Sequence, residues 1–247
     1  MTRPLAVVSG GTRGIGLSFS RRLCHLGYRV AAWYLADEVA AAKAAAELGD
    51  QLSVSRVDVA DPDAVAAAAA QALATMGAPR VLVNNAGVNI DRPFLDLSTQ
   101  DWRTVLDTNL SGAFYLTRAF ASAMLGSGED GTIVNVGATT GIRPRKDGAN
   151  YCASKAGLLQ LTKCLALELA PRIRVNCLIP GMTETDELVS RFRLDNPEHR
   201  ASALAQIPQQ RIGSVDDIAD ALEFLIGPAS AYMTGQKLVV DGGQFMW

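Results

Sequence analysis

Histidine is scarce: the chain of 247 residues holds two, His25 and His199. A zinc site or a Ser-His-Asp nucleophile therefore has almost nothing to be built from, and no metal is expected. The four cysteines, Cys24, Cys152, Cys164 and Cys177, show no C-x-x-C pair and no metal-ligand spacing. With no signal-peptide pattern upstream, they read as reduced thiols of a cytoplasmic protein, and Cys152 as a small packing residue beside Tyr151. Lys and Arg form no blocks and the formal net charge is -2, which argues against nucleic acid or a membrane surface as partner. No window approaches the ~18 to 20 apolar residues of a membrane-spanning helix, and the tract Ala66 to Ala70 sits in an amphipathic helical run. Linkers, internal repeats and low-complexity segments are also missing, so 1–247 reads as one domain; 49% hydrophobic against 19% charged residues supplies its core. Acid–base chemistry is left to Tyr, Lys and carboxylates, and the partners left are small molecules.

What is present centres on Tyr151-Cys152-Ala153-Ser154-Lys155, which opens an apolar-periodic run through Leu158, Leu161, Leu165 and Leu169 that predicts a helix. Four residues apart on a helix is one face. A neighbouring ammonium favours the phenolate, so the Tyr151 phenol is expected below its ordinary pKa of about 10. That describes a general acid for a carbonyl oxygen. The same spacing arises by accident on surface helices, so it needs support elsewhere in the chain.

Support begins at the N-terminus. Leu5-Ala6-Val7-Val8 runs into Ser9-Gly10-Gly11-Thr12-Arg13-Gly14-Ile15-Gly16, after which Leu17, Phe19, Leu23 and Leu26 recur at helical spacing. A strand, a glycine loop and a helix start together form a pyrophosphate cradle. Arg29 to Tyr34 reads as a second strand, and its end carries Tyr34-Leu35 where NAD-binding folds place a carboxylate for the ribose 2′-hydroxyl. The nearest acids, Asp37 and Glu38, suit the first turn of the next helix. With no acid to repel a 2′-phosphate and Arg13 able to meet one, NADP(H) is favoured over NAD(H).

Strand and helix then alternate without a break: Leu52 to Val57, a helix Asp61 to Met76, Val81 to Val83, a helical stretch Ser98 to Leu125, Thr132 to Val136, the Tyr151 helix, and Ile173 to Ile179. This predicts an α/β fold, a single doubly wound Rossmann domain with a parallel sheet of about seven strands and helices on both faces. Ligands of such sheets sit beyond the carboxyl ends of the strands, where Asp58-Val59, Asn84-Asn85-Ala86-Gly87, Gly137 to Thr140 and Pro180-Gly181 also fall.

These motifs, with Asn109 in a TNL context and TGQKLVVDGG near the C-terminus, make the chain resemble the classical short-chain dehydrogenase/reductases, most closely the 3-oxoacyl-(acyl-carrier-protein) reductases. The resemblance covers nearly the whole chain. It implies that Gly10, Thr12, Gly14, Ile15, Gly16, Asn85, Ala86 and Gly87 hold the dinucleotide, with Asn85 near the adenosine ribose. It also implies that Asp58 and Val59 flank the adenine, and that Pro180, Gly181 and Thr183 to Thr185 meet the nicotinamide end. Tyr151 and Lys155 would do the chemistry, and Asn109 would kink its helix and hold a water on a proton relay to Lys155. A homotetramer is implied as well, and Lys237 to Val240 with Phe245-Met246-Trp247 supplies an apolar chain end for it to cover.

Two departures stand out. The family's catalytic serine position is Ala138, and strand alternation points Thr140 to the same side as a displaced donor. Without a donor, the loss is ~10²- to 10³-fold in rate. This leaves a second reading open, a dinucleotide-binding protein of structural or regulatory role. The second departure is Gly126 to Gly131, where the resembled enzymes tend to present cations to an acidic carrier; this chain has Glu129 and Asp130, with only Arg172 and Arg174 nearby. A carbonyl substrate, carrier- or CoA-bound or free, is expected under a lid of two short helices at about 184–210, with Arg143, Arg145 and Lys146 as candidates for an anionic tail.

Overall fold

A parallel strand covered on both faces is buried along its whole length, which is why short runs such as Leu5-Ala6-Val7-Val8 stand out as continuously apolar. The computed structural model describes residues 3–246. In chain order its elements are β1 (Leu5–Ser9), α1 (Gly14–His25), β2 (Arg29–Tyr34), α2 (Glu38–Leu48), β3 (Leu52–Arg56), α3 (Pro62–Met76) and β4 (Pro79–Asn84). There follow α4 (Thr99–Leu106), a π-helical turn (Asp107–Ser111), α5 (Gly112–Gly126), β5 (Gly131–Val136), α6 (Ala149–Leu169) and β6 (Ile173–Pro180). The chain closes with α7 (Asp186–Phe192), α8 (Pro197–Leu204), α9 (Val215–Ile226) and β7 (Lys237–Val240).

The sheet order is β3-β2-β1-β4-β5-β6-β7, with every pairing parallel. Strand alternation splits the core into two layers. Ala6, Val8, Val30 and Val83 pack on Phe19 and Leu23 of α1 and on Ile218 and Leu222 of α9. Leu5, Val7, Trp33 and Leu82 pack on the other side, against Val65 and Ala69 of α3 and Leu116 and Phe120 of α5. This is the doubly wound α/β sheet expected. A small separate cluster of Leu194, Ala203, Ile207 and Ile212 holds the α7–α8 segment together.

Capping follows the sequence. Asp37 accepts from Ala40 N–H at the start of α2, and Asp61 accepts from Asp63 and Ala64 N–H at the start of α3. Thr185 and Asn196 cap α7 and α8 in the same way. The stretch from Ser98 to Leu125 is helical, and the kink expected at Asn109 is the π turn that joins α4 to α5. The order of strands reverses at β1, between β2 and β4, and this opens a crevice over their carboxyl ends.

Candidate active site

The chain leaves β1 through Gly10, at φ 65°, a conformation glycine adopts without cost. A Cβ on Gly16 would lie 1.9 Å from the Gly10 carbonyl oxygen, so a side chain there cannot coexist with the loop. Helix α1 starts without a side-chain cap from Arg13. Its first N–H groups and positive end therefore remain available to an anion. Ser9 Oγ accepts from Asn85 N–H and Ala86 N–H, each at 3.0 Å, and the Asn85 amide donates back to the carbonyls of Ser9 and Gly10 at 3.0 and 3.1 Å. Asn85 thus straps the glycine loop to the end of β4. Ser9, to which the sequence assigned no role, anchors the strap; its signal is a hydroxyl closing a buried strand.

One cleft of about 1480 Å³ runs from this loop past Tyr34, Asp58 and Val59, across Gly87, to Tyr151, Lys155 and the Pro180–Thr185 segment. Apart from Glu184, every residue the sequence assigned to the dinucleotide lines it, as do the catalytic candidates Tyr151, Lys155 and Thr140. Asn109 is the exception: it stands behind the wall at 2% exposure. Its Oδ1 accepts from Val88 N–H at 2.8 Å, while its Nδ2 donates to Val88 O at 2.9 Å and Ser154 Oγ at 3.2 Å. The side chain is therefore committed to fixing the β4 exit loop against α6. A relay at this point would have to use main-chain groups that the π turn releases from the helical ladder.

Tyr151 and Lys155 occupy the first turns of α6, facing the cleft as four-residue spacing predicts. Lys155 is 4% exposed; its Nζ donates to Val136 O at 2.8 Å and lies 5.7 Å from the centre of the Tyr151 ring. The expected acidification of the phenol by this lysine is not what the site shows. Burial pushes Tyr151 up to about 12, opposed by the nearby Arg191 and Arg145, and burial pulls Lys155 down to about 8. The cause is that loss of hydration outweighs a charge whose proton is given to a carbonyl. Ser154, which the sequence left unassigned, donates to Tyr151 O at 2.8 Å and links it to Asn109.

Ala138 also lines the cleft, with its methyl group where a hydroxyl was expected. The alternation that brought Thr140 forward does not apply, because β5 ends at Val136 and Thr139–Gly141 forms a 3-10 turn. Thr140 Oγ1 is buried and has no hydrogen-bond partner among the described residues, so reaching a substrate requires the turn to rearrange. The anionic-tail candidates also separate. Arg143 lines the cleft over the Phe245 ring at 5.8 Å, Lys146 does not line it, and Arg145 is bound to Asp91 at 2.5 and 2.6 Å and to Asn89. Arg174 is not free to dock a carrier, since its guanidinium donates to the carbonyls of Ser230, Met233 and Leu225. The acids of the 126–131 loop are compensated, Glu129 by Arg80 at 3.0 Å and Asp130 by Arg172 at 3.3 Å.

A doubly wound sheet with a glycine cradle at one end of its crevice and a Tyr/Lys pair at the other is the plan of a nicotinamide-dinucleotide oxidoreductase. The chain belongs to the short-chain dehydrogenase/reductase family. Residues 10–244 match the family described as enoyl-(acyl carrier protein) reductase. The chain is 36% identical over 244 residues to the 3-oxoacyl-(acyl-carrier-protein) reductase FabG of Chlamydia muridarum, covering 96% of each. It is 35% identical over 250 residues to nodulation protein G of Rhizobium sp., covering 100% of this chain and 98% of the other. Among solved structures it superposes on a short-chain dehydrogenase/reductase of glucose/ribitol dehydrogenase type from Brucella melitensis with a TM-score of 0.90 at 31% identity, covering 99% and 97%. Among the described residues no helix is long and apolar enough to cross a membrane.

Proposed function

We propose that the protein is an NADP(H)-dependent reductase that converts a ketone, of 3-oxoacyl or related type, to a secondary alcohol. The observation that carries this reading is the presence of Tyr151 and Lys155 on one face of α6, in the same cleft as the glycine loop. Gly10 to Gly16 and Asn85 to Gly87 would hold the pyrophosphate side, Asp58 and Val59 the adenine, and Pro180, Gly181, Thr183 and Thr185 the nicotinamide end. When bound, the cofactor supplies a hydride to the substrate carbon. Tyr151, protonated far above neutral pH, donates its proton to the carbonyl oxygen. Lys155 stands behind it as the buried cation that offsets charge left on the phenol and offers hydrogen bonds to the nicotinamide ribose.

Preference for NADP(H) is supported by Arg13, exposed in the glycine loop and without an ion pair among the described residues. Tyr34 stands where a carboxylate would repel the 2′-phosphate, and the Asp37 carboxylate is occupied by its own helix. Docking of an acidic carrier protein has little support from charge, because Arg80, Arg172 and Arg174 are engaged; a free or CoA-linked carbonyl fits the cleft better, with Arg143 facing an anionic tail. The intact Tyr151, Lys155 and Asn109 disfavour a purely structural role. The test is NADPH oxidation over a panel of 3-oxoacyl and simpler ketones. Turnover by the wild type and its loss in Tyr151→Phe with NADPH affinity retained is the expected result. A Tyr151→Phe enzyme at full rate would refute the mechanism.

A further inference from the structure

Asp91, in the loop between β4 and α4, received no role from the sequence. Its carboxylate takes a two-pronged ion pair from Arg145 and a further one from Arg191 on α7, the first lid helix. Arg145 in turn lies 5.5 Å over the Tyr151 ring and is steadied by Asn89 Oδ1. Arg145 and Asp91 are each 29% exposed in their side chains and Arg191 30%, so the three charges are partly shielded from solvent.

We propose that Asp91 is a positioning residue that ties the lid to the catalytic phenol: Arg191 carries α7 onto the carboxylate that already holds Arg145 over Tyr151. Closing the lid then completes the cationic surroundings of the proton donor. The geometry explains why two arginines share one acid. A single carboxylate can accept a fork from one guanidinium and still present a lone pair to another. Removing the acid leaves two cations to repel each other. The charged groups that face Tyr151 are Arg145, Arg191 and Lys155 on the positive side and Glu187 and Asp91 on the negative, so the balance at the phenol depends on which lid groups are in place. Positive charge beside Tyr151 stabilises what remains after it has given up its proton, a need made sharper by Ala138.

The kinetic part of this inference rests on the reductase reading, and the experiment separates the two. Hydrogen exchange over residues 186–192, with NADPH present, reads the clamp without turnover: Asp91→Asn and Arg191→Met should each speed exchange in α7, and Arg145→Lys should not. With a ketone substrate, Arg191→Met should raise KM about tenfold and lower kcat a few-fold as well, because it removes both the clamp and one of the cations facing Tyr151. Arg145→Ala should lower kcat about tenfold, with part of the rate regained on adding guanidinium and more of it retained in Arg145→Lys. The double variant Asp91→Asn/Arg191→Met should be no worse in KM than Asp91→Asn alone, because both break one contact. Unchanged α7 exchange in Asp91→Asn, or additive KM effects in an enzyme with an active wild type, would overturn the coupling. Faster exchange with no turnover by any form would leave the clamp standing and remove the reductase reading instead.

Discussion

Ala138 sets a methyl group where the resembled enzymes carry a hydroxyl, and the 3-10 turn beside it limits what a neighbour can do in compensation. Thr140 Oγ1 is buried without a partner among the described residues, so restoring the hydroxyl at 138 is the direct remedy. Ala138→Ser should raise turnover on a good ketone by up to ~10²-fold, the scale of one positioned donor, while Thr140→Val should change it little. Steady-state rates of the two single variants and their double decide this; a crippled Thr140→Val with an indifferent Ala138→Ser would mean that the turn rearranges and Thr140 is the donor. Lys155 gives a second expectation at this scale. Burial brings it down to about 8, so it is charged below that pH and neutral above it. Tyr151, up at about 12, stays protonated throughout the range in which the protein can be assayed. The reductase kcat/KM for NADPH should therefore fall as pH rises past about 8, and Lys155→Arg, which keeps its charge, should abolish that fall even if its absolute rate is lower. A profile flat to pH 10 in the wild type would remove Lys155 from this role.

The π turn between α4 and α5 shows what a whole element contributes to the site. By widening the helix at Asp107–Ser111 it brings Asn109 inward, where three hydrogen bonds tie the β4 exit loop to Ser154 and so to the Tyr151 carbonyl. Asn109→Ala leaves Val88 N–H and O without these partners, at a cost of about 1–3 kcal/mol of stability. Scanning calorimetry should show a lower Tm and kinetics a lower kcat; a variant with wild-type values in both would contradict the structural reading of Asn109. This turn also marks where the sequence stops being legible. Strands and helices were readable because burial on both faces makes Leu5–Val8 of β1 and Val81–Val83 of β4 continuous apolar runs, and caps such as Asp37 and Asp61 announce the helices after them. The glycine loop and Tyr151/Lys155 were readable for a similar reason, since each is local in the chain. A π turn has no pattern of its own, so periodicity gave only a helical stretch from Ser98 to Leu125, and the kink at Asn109 was expected from the resemblance alone. Alternation beyond Val136 failed because a strand's period ends where the strand does. Arg145 looked free because its partner, Asp91, lies 54 positions away, and no local pattern reports a contact at that separation.

At the scale of the molecule, two separate surfaces expose apolar groups that a single chain has no means of covering. One belongs to the α4–α6 side, with Trp102, Phe114 and Leu167, the last 84% exposed. The other lies beside β7, an edge strand paired only with β6, where Tyr232 is fully exposed and Met246 nearly so; Trp247 lies outside the described residues. Scattered apolar residues are ordinary on a protein surface, but large ones on three helices of one side, Trp102 on α4, Phe114 on α5 and Leu167 on α6, favour a partner. Each surface can meet its own copy about a twofold axis, and two such axes at right angles generate a closed tetramer, whereas one alone stops at a dimer. Light scattering should accordingly give a mass near four times the 26.1 kDa chain. Leu167→Glu places a carboxylate in the centre of the first interface, where it must be desolvated unpaired, and should leave a dimer held by the β7 side. Tyr232→Glu should do the converse. Because Tyr151 and Lys155 project from α6 on the side away from Leu167, toward the sheet and the cleft, a dimeric Leu167→Glu should still bind NADPH. A monomeric wild type at micromolar concentration would remove the basis for both substitutions.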